Sequence, residues 1–337
     1  MVRHFHERGS EMNFEMLRVS LPVRAHSRKL VGVDAREIIF VAARNQERIG
    51  FGECAPLPGL HSETLEFCME SIENWSNGLG EMNALAPCAA FALSCAMETL
   101  HGFGAFPVAP AKVAYFYPGT FAQCDQAAID SLLGASVVKI KFGRDSESND
   151  RALLARLCSA LPAVQFRIDA NRLLSRDECV SRLVGIDASR VEYLEDPLRD
   201  PSQLAQLSKA TGIAIALDET VVDQSTQAHA LRESLARDGC VAAWVLRMST
   251  IGSLDAIRAM AAEAARLSAD AVLSTAYESS YSLRVAVHVA ASIPNATRAN
   301  GIGTASLLEQ DSCEPAIARN GFIDGPPLPI PFAEAWE

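Results

Sequence analysis

Val137-Val138-Lys139-Ile140-Lys141 is a short β-branched run that ends in two ammonium groups. Three more runs of the same construction follow: Phe166-Arg167-Ile168-Asp169, Val191-Glu192-Tyr193-Leu194-Glu195 and Ile213-Ala214-Ile215-Ala216-Leu217-Asp218. Continuous apolar stretches of this length, separated by Ala-, Leu- and Arg-rich helical sequence, read as strands buried on both faces of a parallel sheet. Further strands are predicted near 113–117, 243–247 and 271–275, with a weaker one near 298–303. Seven or eight such units in under 200 residues predict a parallel β/α barrel. A doubly wound sheet would instead want a glycine-rich phosphate loop after the first strand, and Tyr117-Pro118-Gly119-Thr120 is not one.

Side chains two apart on a strand share a face, so Lys139 and Lys141 point together into such a barrel. Two buried ammonium groups are costly unless they pair with acids or do chemistry, and their mutual repulsion lowers a lysine pKa toward the range of a working base. Asp169, Glu195 and Asp218 end the next three strands. Three hard oxygen donors without His or Cys suit Mg²⁺, or Mn²⁺, rather than zinc or iron. The plainer reading is that each acid caps the helix after it, and three in succession behind a Lys-x-Lys strand tip the balance to metal binding. Asn171 either supports the metal site or shapes the turn, Arg167 is expected to share the face of Asp169 and pair with an acid there, and Glu219 to turn to the opposite face if the strand continues. Ser274 and Thr275, at the end of the seventh strand, are candidate carboxylate binders.

Toward the N-terminus the pattern changes. Residues 15–52 alternate as an antiparallel meander, and a helical region begins at Ser62, with Glu63 and Glu66 in its first turn. The apolar stretch Ala84–Met97 is too short for a bilayer and is expected to be a buried helix. The first sixteen residues, with His4, His6, Glu7, Arg8 and Glu11, lack the apolar core of a secretory signal. Nine cysteines without a Cys-x-x-Cys pair fit a reduced, cytoplasmic protein better than a disulfide framework or zinc site. A net charge of −11 argues against nucleic acid or an anionic membrane as partner and leaves a small molecule.

The stretches Gly52-Glu53-Cys54-Ala55-Pro56-Leu57-Pro58-Gly59, Ala89 to Ala96, Lys139-Ile140-Lys141, Asp169-Ala170-Asn171-Arg172, Glu195-Asp196-Pro197, Asp218-Glu219 and Ser274 to Ser280 resemble the enolase superfamily in its Lys-x-Lys branch, and within it the o-succinylbenzoate synthase family. The resemblance implies an α/β fold: a modified (β/α)7β TIM-like barrel over 109–304 under an α+β capping domain of residues 1–108, with the tail from about 305 to 337 packed on that cap. It also implies Asp169, Glu195 and Asp218 as Mg²⁺ ligands, Lys141 as general base with Lys139 as its electrostatic neighbour, a small dicarboxylate substrate, and dehydration of a cyclohexadiene carboxylate on the route to menaquinone. Racemisation of N-acylamino acids, epimerisation of dipeptides, and a barrel that binds without catalysis are the rival readings.

One position departs from the branch. Arg247 stands where a lysine is usual, and an arginine is effectively never deprotonated, so it cannot be a second base. A one-base dehydration needs only its charge; the plainer reading is that Arg247 is slightly out of register or pairs with an acid for structure. The 29 residues from Asp218 to Arg247 (247 − 218) predict an extra helix or loop across 222–240. The basic segment Arg24–Lys29 is expected to fold over the pocket and suit a dicarboxylate.

Overall fold

The computed structural model describes residues 2–6 and 12–336, so the parts of the leader reading that rest on Glu7, Arg8 and Glu11 lie outside the described residues. The alternating pattern at the N-terminus produces an antiparallel sheet of β1 (Val2–His6), β2 (Asn13–Pro22), β3 (Ala35–Arg44) and β4 (Ile49–Cys54), paired in that order. The helix Pro87–Leu100 packs on one face of the sheet so closely that only glycine fits beneath it. A Cβ at Gly52 would come within 1.8 Å of the Ala92 carbonyl oxygen, and one at Gly50 within 2.2 Å of that of Ala96. This helix is the apolar stretch near Ala84–Met97, and it is buried as expected. Among the described residues no helix is long and apolar enough to cross a membrane. The preceding helix, Leu65–Ser76, starts later than its sequence suggests: Thr64, not Ser62, accepts the Phe67 N–H as cap.

β5 (Val108–Lys112) pairs antiparallel with β13 (Phe322–Gly325), close to the chain's end. Beyond β13 the chain runs back to the antiparallel sheet, where Phe332 meets Phe40, Trp336 meets Phe51, and Arg44 bonds the Trp336 carbonyl.

Between these lie seven parallel strands in sequential order: β6 (Tyr115–Tyr117), β7 (Val137–Lys141), β8 (Gln165–Asp169), β9 (Val191–Glu195), β10 (Ile215–Leu217), β11 (Val241–Arg247) and β12 (Asp270–Ser274). The weak eighth strand near 298–303 does not form. Two isolated bridges, Val113↔Asn300 and Ser274↔Gly301, join the edges instead. Backbone bonds run to both edges, from Asn300 N–H to the Lys112 carbonyl, from Ala114 N–H to the Asn300 carbonyl and from Gly301 N–H to the Leu273 carbonyl, and the Asn300 side-chain oxygen adds one more by accepting the Leu273 N–H. The long interval before Arg247 holds two helices, Glu219–Val222 and Thr226–Arg237, and the pairing of β10 with β11 slips between Ile215 and Ala216.

Inside the barrel, Tyr193, Ala216, Ala243, Val245 and Val272 form an apolar layer. The strands' charged C-terminal ends stand above it. All nine cysteines are free.

Candidate active site

In-register pairing sets the site. Lys141 lies opposite Asp169, and Asp169 opposite Glu195, so successive inward positions at the strand ends deliver one ring of charges. Lys139 Nζ stands 2.7 Å from Asp169 Oδ2 and 2.6 Å from Glu195 Oε1. Lys141 Nζ donates to Asp169 Oδ2 and to Asn171 Oδ1, both at 2.6 Å. Arg247, ending β11, reaches Asp218 Oδ2 with Nη2 at 2.5 Å. Lys139, Lys141, Asn171, Glu195 and Arg247 open into a cavity of about 540 Å³ whose facing wall includes Leu30, Val31, Leu57 and Leu60.

Burial and charge give the two lysines opposite tendencies. Burial pulls Lys139 down, but Asp169, Glu195 and Asp218 outweigh it and hold its pKa above the ordinary lysine value. Lys141 is lowered by burial, with Lys139 repelling it further, against the pull of Asp169. Of the pair, Lys141 is therefore the better placed to lose its proton. Among the acids, burial is overcome at Asp169 by the two lysines, which keep it ionised. At Glu195 burial wins and raises the carboxyl to about 7, with Asp169 and Asp218 adding repulsion. Asp218 rises to about 6 by burial although Arg247 opposes it.

Such a surplus of buried carboxylate is short of positive charge, and it fits a divalent cation. Asp218 Oδ1 and Glu219 Oε2 are buried without any hydrogen-bond partner, which leaves oxygen donors available. A second cluster, His61 with Glu63 and Cys88, brings possible ligand atoms together elsewhere. Its donors are already committed: His61 Nδ1 takes the Leu57 N–H, His61 Nε2 meets Ser249 Oγ, and Glu63 Oε1 takes the Cys88 N–H. The strand-end group, by contrast, keeps unpartnered buried oxygens at Asp218 and Glu219.

The remaining candidates divide. Ser274 and Thr275 line the cavity, and the buried Thr275 Oγ1 has no partner. Glu219 does not turn away, because β10 stops at Leu217 and the chain coils into a short helix that presents Glu219 to the cavity. Arg167 shares the inward face and touches the cavity, but it pairs with Glu192 at 2.6 Å and with the Ala299 carbonyl rather than with a strand-end acid. Of the segment expected as a basic cover, it is the apolar Leu30 and Val31 just after it that line the cavity; Arg28 turns to Asp34 and the Val23 carbonyl.

Several contributors escape sequence reasoning. Arg36 is buried and donates to the carbonyls of Ala55, Pro56 and Tyr277. Buried Glu278 accepts from Ser249 Oγ at 2.6 Å and from the Ala276 N–H. Glu53 accepts the Ser279 N–H and the hydroxyls of Ser279 and Ser282. The contacts of Arg36 with Tyr277 and of Glu53 with Ser279 and Ser282 tie the capping sheet to the segment after β12. The signal for Glu53 and Glu278 lay in Gly52–Gly59 and Ser274–Ser280, two of the stretches that carry the family resemblance.

Comparison with known proteins agrees with this architecture. A family model described as Enolase C-terminal domain-like matches residues 120–329, and the MenC N-terminal domain model matches residues 15–100. The o-succinylbenzoate synthase of Salmonella arizonae is 31% identical over 289 residues, covering 83% of this chain and 86% of that protein. The one from Enterobacter sp. (strain 638) is 30% identical over 312 residues, covering 90% and 91%. A crystal structure of a dipeptide epimerase from Enterococcus faecalis V583 superposes with a TM-score of 0.75 at 18% identity, covering 94% of this chain and 97% of that one, which speaks to fold. With more than half its length matched by the barrel model and relatives at this level of identity across most of both chains, this protein belongs to the enolase superfamily and is an enzyme.

Proposed function

We propose that the chain is a carbon–oxygen lyase, an o-succinylbenzoate synthase that removes water from 2-succinyl-6-hydroxy-2,4-cyclohexadiene-1-carboxylate. The observation that carries this reading is the pairing of one lowered lysine, Lys141, with an arginine on the opposite side of the cavity that Asp218 holds at 2.5 Å. A racemase or epimerase needs a proton acceptor on each face of the substrate carbon. Arg247 cannot be one, because the surrounding acids Asp218, Glu195, Glu219 and Asp169 outweigh its burial and raise its pKa further. A syn dehydration needs a single base.

Asp169, Glu195 and Asp218 would hold Mg²⁺, with Mn²⁺ as second candidate, and the bound cation would neutralise charge on the substrate carboxylate as the α-proton leaves. Lys141, as neutral amine, takes that proton, breaking the C–H bond and forming the ammonium. The same Nζ returns a proton to the departing β-hydroxyl on the same face, so water leaves and the ring becomes aromatic. Asn171 and Asp169 fix the reach of Lys141 Nζ, while Lys139 stays protonated between Asp169 and Glu195. Arg247 contributes positive charge beside the ring. Ser274 and Thr275 supply hydroxyls for the substrate's carboxylate. The nine free cysteines suit a cytoplasmic setting. The named relatives at about 30% identity support the same activity.

The test is incubation with Mg²⁺ and the cyclohexadiene, followed by loss of diene absorbance. Turnover that vanishes in Lys141→Ala supports the reading; no turnover by the wild type, or equal turnover by the variant, sinks it.

A further inference from the structure

Five cationic side chains line the cavity: Lys139, Lys141, Arg144, Arg167 and Arg247. Four are committed to acids, Lys139 and Lys141 to Asp169 and Glu195, Arg167 to Glu192, and Arg247 to Asp218. Arg144 makes no hydrogen bond or ion pair with any described residue, and its side chain is exposed at the cavity wall. Its backbone is not free to wander. The turn that carries it is pinned on both sides: Phe142 N–H bonds the Asp169 carbonyl, Gly143 N–H bonds Asp150 Oδ2, and Asp145 Oδ1 takes the Ser146 N–H. Gly143, at φ +79°, makes the bend that turns the chain there.

From the β12 loop comes Tyr277, a bulky residue at φ +62°, a conformation that costs free energy and is kept only where the surroundings enforce it. Arg36 Nε bonds its carbonyl, and Glu278 holds the residue before it through the Ala276 N–H. The ring is thereby set against the cavity. No hydrogen bond to a described residue engages its hydroxyl, and Arg144 is one of three cations whose charge reaches it.

A dicarboxylate brings two anions into this cavity. The reacting one belongs with the strand-end charges; the remote one needs a cation not already spent on an acid, and the segment Arg24–Lys29 does not line the cavity. We propose that Arg144 and Tyr277 form the subsite that binds the remote carboxylate of the substrate, the guanidinium by charge and the phenol by a hydrogen bond. The proposal rests on the dehydration reading for the identity of the dicarboxylate. It makes Arg144 a determinant of affinity, not of the chemical step.

The experiment uses the full chain and two probes: o-succinylbenzoate, and 2-butyrylbenzoate, which has a methyl group in place of the remote carboxylate. Charge-assisted hydrogen bonds of this kind give a preference of about tenfold or more. Calorimetry is expected to show that preference in the wild type and its collapse toward unity in Arg144→Gln, through weaker binding of the dicarboxylate alone. Arg144→Lys restores part of it, and Tyr277→Phe loses a smaller part. In the diene assay, Arg144→Gln raises KM about tenfold and leaves kcat within about twofold. An unchanged binding ratio in Arg144→Gln overturns the subsite. Absence of wild-type diene turnover overturns the dehydration reading instead, and the calorimetric ratio still reads the subsite by itself.

Discussion

The two walls of the cavity are built on opposite principles. The barrel wall is a ring of charges at or just beyond the ends of adjacent strands, with Lys139, Lys141, Asp169 and Glu195 placed by register and nearly all paired with one another. The capping wall, from Leu30 and Val31 to Leu57 and Leu60, is apolar and belongs to one short helical turn, Arg28–Val31, and the loop after β4. Its position relative to the barrel depends on the buried polar contacts of Arg36 and Glu53 with the β12 loop. The difference separates two tasks. On the proposed reading, rigid strands hold the groups that move protons, where small displacements are costly in rate, and the capping wall excludes water and shapes the space around the substrate.

The sharpest way to break this division is on the charged wall. Lys141→Ala is expected to lower kcat by about 10³-fold with the fold intact by circular dichroism. Loss of binding with kcat unchanged would move Lys141 out of the chemistry.

Next comes the junction between the walls. Burial raises Glu53 to about 7 against 4.5 for an ordinary glutamate, despite its hydrogen bonds from Ser279 and Ser282. Between those values the folded protein holds a proton that the unfolded chain has released, so stability falls as pH rises through that window. The loss is at most about 3 kcal/mol, at about 1.4 kcal/mol per pKa unit. Denaturant melts across pH 4.5 to 7 should show the fall in the wild type and a flatter profile in Glu53→Gln.

A smaller effect is expected at Asp218, where Asp218→Asn should weaken Mg²⁺ binding at least about tenfold by calorimetry, since even outer partners of a metal ligand are worth that much. Unaltered affinity would move the cation away from β10. The smallest effect belongs to the apolar wall. Leu60→Ser should raise KM a few-fold, roughly in proportion to the small apolar area lost, and leave kcat alone; a large fall in kcat would show that the two walls are not separable.

This division also governs what could be read from sequence. The charged wall was legible because strand periodicity and register are local: Lys139, Lys141, Asp169, Glu195 and Asp218 each end a recognisable run, and their convergence follows from a parallel sheet. Errors arose where a strand gave way to something else. Glu219 was placed on the far face only by extending β10 past Leu217, where the chain in fact coils into a helix. The eighth strand shrinks to two single-residue bridges at Asn300 and Gly301, helped by one bond to the Asn300 side chain. Arg167 obeys the alternation, yet its length lets it choose Glu192 as partner. The capping wall was the least legible part. Contacts such as His61 with Ser249, 188 residues apart, and Arg36 with Tyr277, 241 apart, leave no mark in local pattern.

On the proposed reading, this cavity contains one base. An enantiopure N-acylamino acid incubated with the Mg²⁺-loaded enzyme in D₂O tests it directly, with α-deuterium read by NMR and configuration by chiral chromatography. Any deuterium is expected to enter with retention and to depend on Lys141, and the opposite enantiomer is not expected to accumulate. Interconversion of the two enantiomers would contradict that reading, because a second proton carrier would then have to stand where Arg247 does.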